Sequence, residues 1–135
     1  MSFDPLTDYP LGSKRPDRVR TDGGIALADV TLARAREGLL GSDDLRATPE
    51  TLRRQAEVAR AAGRVQLADN LDRAAELAVV PDGELLEIYT ALRPGRSTRD
   101  ELEHRARRLD ELGATMTAVF VREACDAYST RGLLA

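Results

Sequence analysis

TPETLRRQAEVARAAG, residues 48–63, carries a start signal and a stop signal for one helix. The Thr48 hydroxyl is suited to accept from the first free backbone N–H groups, and Pro49 stands where its missing N–H costs nothing. Glu50 sets negative charge at the positive end of the helix dipole, and Gly63 tolerates the left-handed conformation that closes a helix. The residues between are mostly good helix formers.

The same grammar repeats outward from this stretch. From Arg64, the residues Leu67, Leu71, Ala74 and Ala78 form one apolar stripe that ends before Pro81. Asp82 is read as the cap of the next helix, whose apolar residues are Leu85, Ile88, Tyr89 and Leu92. In ALRPGRSTRDEL, residues 91–102, Pro94 and Gly95 end that helix, and Ser97 is read as the cap of another, with Asp100 three residues on. Leu102, Ala106, Leu109 and Leu112 form its stripe, which Gly113 stops. A last helix spans about residues 114–130, with Met116, Val119, Phe120, Ala124 and Ala127 available for burial. Upstream, Thr31 caps a short helix over residues 31–38, closed by Gly38. No alternating run competes as a strand, so the pattern predicts an all-α protein, a compact bundle of about five helices.

Residues 1–24 lack this periodicity and hold Pro5, Pro10 and Pro16. They are expected to form an extended arm, with residues 25–135 as a single helical domain. Spaced apolar residues on such an arm need a surface to lie on, either their own domain or a partner.

Composition bounds the function. With 20 basic and 23 acidic residues of mixed order, the chain shows no general nucleic-acid or membrane-surface character. No apolar run reaches membrane-span length, and the start lacks the features of a secretory signal, so a soluble cytoplasmic protein is expected. Cys125 is the single cysteine, which excludes a disulfide within the chain, and its position beside Ala124 suggests burial. His104, the single histidine, falls off the Leu102/Leu109 stripe beside Asp100 and Arg108, as a surface residue would. Asp69, Asp72 and Glu76 share one side of a helix and read as a solvated acidic face, because a second Glu-x-x-His partner for a di-iron site is lacking. No phosphate-loop, dinucleotide, zinc-protease or EF-hand pattern occurs. A helix-turn-helix remains an alternative for residues 48–78, with Arg64, Gln66 and Asn70 toward base edges and Asp69 and Asp72 opposing it. An unrelated helical interaction module is another.

The blocks DYPLGSKRPDRVRT (8–21), LRATPETLRRQAEVARAAGR (45–64), LADNLDRAAELAVVPDGELLEIYTALRPGRSTRDEL (67–102) and FVREACDAY (120–128) resemble the small, or gamma, subunit of adenosylcobalamin-dependent diol and glycerol dehydratases. Thr90 and Gly95 depart from the family pattern, which has Asn and often a bulkier residue there. The resemblance implies an enzyme of large, medium and small subunits, two of each, that converts propane-1,2-diol, ethane-1,2-diol or glycerol to the aldehyde and water. It implies that adenosylcobalamin lies between large and medium subunits, and that the diol and a potassium or calcium ion lie in the large one. The small subunit then packs on and stabilises the large subunit, with no catalytic, cofactor-binding or metal-binding residue expected here. On that reading Tyr9 and Leu11 are docking anchors. Helix capping requires no arginine at Arg93 or Arg96, so these either pair within the subunit or reach carboxylates of the large one. Seven residues before Asp8 are too few for a targeting helix, so enclosure in a bacterial microcompartment would run through another subunit.

Overall fold

The computed structural model describes residues 3–135; Met1 and Ser2, the start of the expected arm, lie outside the described residues. The helices are α1 (Leu11–Lys14), α2 (Leu32–Arg36), α3 (Pro49–Ala61), α4 (Val65–Leu77), α5 (Asp82–Ala91), α6 (Arg99–Glu111) and α7 (Thr115–Arg131). Single 3-10 turns stand at Pro16–Arg18, Leu27–Asp29 and Asp43–Leu45. Among the described residues there is no strand, and the extended pairing is one antiparallel bridge between Arg20 and Ala26. The fold is all-α, and α3 to α7 are the five longer helices that the sequence pattern predicts.

The helix ends show why. Thr48 accepts from the Thr51 N–H at 3.2 Å and Thr31 from the Arg34 N–H at 3.3 Å, so each satisfies a donor the helix leaves free. Gly63 and Gly113 close α3 and α6 at φ 74° and 78°, a region a side chain disfavours. Two caps differ from expectation. The Ser97 hydroxyl is buried and donates to the Ala91 carbonyl at 2.9 Å, so capping passes to Thr98. Thr98 accepts from the Glu101 N–H at 3.3 Å while Glu101 accepts from the Thr98 N–H at 2.8 Å, a complete capping box. Pro81 takes the cap position of α5 with extended backbone, which makes Asp82 the first helical residue.

Contacts divide the chain into two units, Met1–Ala75 and Glu76–Ala135. The second has a continuous core of Val80, Ile88, Leu102, Ala106, Leu109, Ala114, Ala118, Val121 and Cys125, with Leu77, Leu85, Leu92, Leu112, Tyr128 and Leu134 packed against it. The α6 stripe is buried as expected. On α7 the buried residues are Thr117, Ala118, Val121 and Cys125, not the expected set. Small Ala106, Ala114 and Ala118 are fully buried between α6 and α7, and that close approach turns bulkier Met116, Val119 and Phe120 outward. On α5, Ile88 is buried but Tyr89 is exposed.

In the first unit the buried cluster is Ala56, Ala59 and Ala68, with Leu71 against it. The buried face of α4 is therefore one residue out of phase with the expected stripe, leaving Leu67 and Ala78 exposed. The segment before residue 24 is also less extended than expected, because α1 and the turn at Pro16–Arg18 fold it locally.

Candidate partner-binding surface

The first residues are braced by polar contacts. Asp4 accepts from the Leu6 N–H at 2.9 Å, and Arg15 spans Asp8 and Asp17 at 3.2 Å each. The Leu6 N–H holds the Asp4 carboxyl below its ordinary pKa, and the Arg15 hydrogen bond does the same for Asp17. Lys14 donates to the Thr7 carbonyl at 3.1 Å. On this brace Leu6 is 73% and Tyr9 55% exposed, and the Tyr9–Pro10 peptide is cis. Leu11, at the start of α1, is half-buried. Further on, Arg54 donates to the Arg18 carbonyl at 2.6 Å and pairs with Glu50, while the Thr21 hydroxyl donates to Asp44 at 3.0 Å.

In the second unit the corner between α5 and α6 is pinned to the chain end. The Gly95 N–H donates to the Leu133 carbonyl at 2.7 Å and the Ala135 N–H to the Ser97 carbonyl at 2.9 Å. The Tyr128 hydroxyl donates to the Leu92 carbonyl at 2.6 Å. From this fixed corner Arg93 and Arg96 project into solvent, and among the described residues neither side chain has a hydrogen bond or ion pair. Arg107 on α6 and Arg131 on α7 are likewise exposed and unpaired among the described residues, whereas four other arginines of these helices are engaged. Arg99 pairs with Asp126 at 3.0 Å, Arg105 with Glu87 at 2.6 Å, and Arg122 with Glu103 at 3.2 Å and Asp110 at 2.7 Å. Arg108 grips both oxygens of Glu84 at 2.8 and 3.0 Å, and this hydrogen bonding holds the Glu84 carboxyl below its ordinary pKa. Arg96 also borders a shallow depression of about 350 Å³ lined by Leu86, Thr90 and Arg105 among others.

Some outward-facing residues escape sequence reasoning. Leu86 and Tyr89 on α5, and Met116, Val119 and Phe120 on α7, are all exposed. Apolar residues occur on several sides of α7, so spacing alone could not select its buried face. The expected acidic face on α4 is also corrected. Asp72 and Asp69 accept from Arg60 at 2.8 and 3.3 Å, and Glu76 accepts from the N–H groups of Met116 and Thr117 at 2.9 and 2.8 Å.

Cys125 is buried with its sulfur 4.0 Å from the Arg99 carbonyl, and His104 is exposed on α6. Among the described residues, no three His, Cys, Asp or Glu side chains are grouped to hold a metal ion. The depression near Arg96 is far too small for a corrinoid. Among the described residues, no helix is long and apolar enough to cross a membrane.

A family model described as the dehydratase small subunit matches residues 5–135. The chain belongs to this family. It is 50% identical over 127 residues to the propanediol dehydratase small subunit of Citrobacter freundii, covering 93% of this chain and 74% of that one. To the propanediol dehydratase small subunit of Salmonella typhimurium it is 48% identical, covering 93% and 73%. As a dehydratase small subunit the chain is one component of a lyase and partners other dehydratase subunits. Its outward apolar residues and its free arginines are thus candidates for that contact.

Proposed function

We propose that this chain is the small subunit of an adenosylcobalamin-dependent diol dehydratase acting on propane-1,2-diol, in a cytoplasmic dimer of heterotrimers with large and medium subunits. The observation that carries this reading is near-half identity, over 93% of the chain, to two propanediol dehydratase small subunits. In this reading the cofactor, the metal ion and the diol are held by the other subunits. The cofactor supplies the radical chemistry when bound, and this chain supplies surface.

What its own residues do is bind and orient. Tyr9 and Leu11 dock on the large subunit, and Arg93 and Arg96 meet its carboxylates. Binding only the folded large subunit stabilises it by mass action. Exposure of Tyr9 and the absence of partners for both arginines support these roles.

The test is to co-express the chain with large and medium subunits, then to omit each in turn. The expected result is co-purification of all three and cobalamin-dependent formation of propanal that falls, through loss of soluble large subunit, when this chain is omitted. Full activity without this chain, together with no co-purification, overturns the reading. Comparing glycerol with propane-1,2-diol on the complex decides the preferred diol.

A further inference from the structure

Residues 3–55 do not include one buried side chain. Fixing that many residues costs conformational entropy at each of them, and burial of apolar surface is what ordinarily offsets it. Here the ordered elements are two helices of 4 and 5 residues, three 3-10 turns and the first half of α3. Helices so short do not persist alone in water. Of the ion pairs that brace it, Arg15 with Asp8 is part-buried, while Arg15 with Asp17, Arg34 with Asp29 and Arg46 with Asp43 reach solvent and add little.

The same segment faces solvent with Leu6, Tyr9, Leu27, Leu32, Leu39 and Leu45. Five of the six are more than half exposed, and Leu27 is 38% exposed. Exposed charged side chains stand between them, in equal numbers of either sign over residues 3–55 and several of them paired, so the segment offers apolar anchors set among balanced charge. That chemistry fits a permanent protein interface and not an acidic polymer or a lipid headgroup. Residues 76–135 differ in kind, because their core closes on itself.

We propose that residues 3–55 take their fold from the large dehydratase subunit, whereas Glu76–Ala135 holds its fold without it. The occupant rests on the function proposed above; the division of the chain rests on burial alone. The docking surface on this view is the whole of residues 3–55, with Tyr9 and Leu11 as two of its contacts.

Hydrogen exchange by mass spectrometry on the full chain, free and in complex with the large subunit, tests this. In the free chain, amides of residues 3–55 are expected to exchange with less than ~10-fold protection, against ~1,000-fold or more in α6 and α7. In the complex, residues 3–55 are expected to gain ~100-fold or more. Trypsin should read the same contrast, cutting the free chain after the arginines before α3 and sparing them in the complex. Protection of residues 3–55 equal to that of α6 and α7 in the free chain overturns the proposal, as does protection that rises with the free chain's own concentration. A complex that forms without added protection overturns this inference alone. Failure to form any complex overturns the occupant together with the dehydratase reading, while exchange in the free chain still decides which part folds by itself.

Discussion

Glu76 supplies to α7 what the residues beside its first turn do not. Ala114 stands at the cap position with no side chain to accept a bond, and the Glu76 carboxylate takes the Met116 and Thr117 N–H groups instead. It also accepts from the Thr117 hydroxyl at 2.8 Å. A carboxylate there satisfies two free donors and opposes the helix dipole, together worth ~1–2 kcal/mol. Glu76→Ala is therefore expected to lower the unfolding free energy by about that amount in urea, and Glu76→Gln to recover about half. A loss below ~0.3 kcal/mol in the Ala variant would contradict the capping role. This contact was not legible in sequence, because Thr117 lies 41 residues away. Thr31 and Thr48 were legible because a cap and the N–H it accepts from lie within one turn. Ser97 misled by one position because its hydroxyl satisfies Ala91 across the corner.

At the scale of elements, α6 was legible and α7 was not, for a physical reason. On α6 the residues flanking Leu102, Ala106 and Leu109 are charged, so one face only can be buried. On α7 the choice between Met116, Val119 and Phe120 and the smaller Ala118, Val121 and Cys125 is made by how closely α6 approaches. Leu109 is fully buried at that contact, and Leu109→Ala should cost about 2–5 kcal/mol, read as a lower midpoint in urea with the slope unchanged. Acid should loosen the same unit. Hydrogen bonds from Arg108 hold the Glu84 carboxyl below its ordinary value, and the Thr98 N–H does the same for Glu101. In the unfolded chain both return to about 4.3. Between those values the unfolded chain binds the more protons, so their contribution is complete above pH ~4.3 and is lost as pH falls through the folded values. Thermal melts should show Tm level from pH 8 to 5 and falling below that, with a shallower fall in Glu84→Gln. A Tm that rises on acidification would sink this account.

For the whole molecule, the helices follow from caps and breakers, but the outward apolar residues do not, since periodicity assumes that a chain buries its own stripe. Tyr9, Arg93 and Arg96 stood out in the sequence because helix grammar has no use for them, and the structure leaves all three exposed. That exposure separates docking from folding in a single experiment. Arg93 and Arg96 hold no partner in the described chain, so Arg93→Glu with Arg96→Glu should leave the free chain's stability within ~0.5 kcal/mol, as exposed substitutions ordinarily do. Two reversed charges facing carboxylates should nevertheless weaken capture by the large subunit ~10-fold or more, and Arg→Lys at both positions should restore part of it, since lysine keeps the charge but not the bidentate fork. Tyr9→Ala with Leu11→Ala should also reduce assembly, but with little dependence on salt, because the lost contact is apolar. In both variants the complex that does form should turn over at the normal rate. Unchanged co-purification in the charge-reversed variant would remove the corner from the interface, and a free chain that unfolds on reversal would mean that these arginines serve the fold and not the partner.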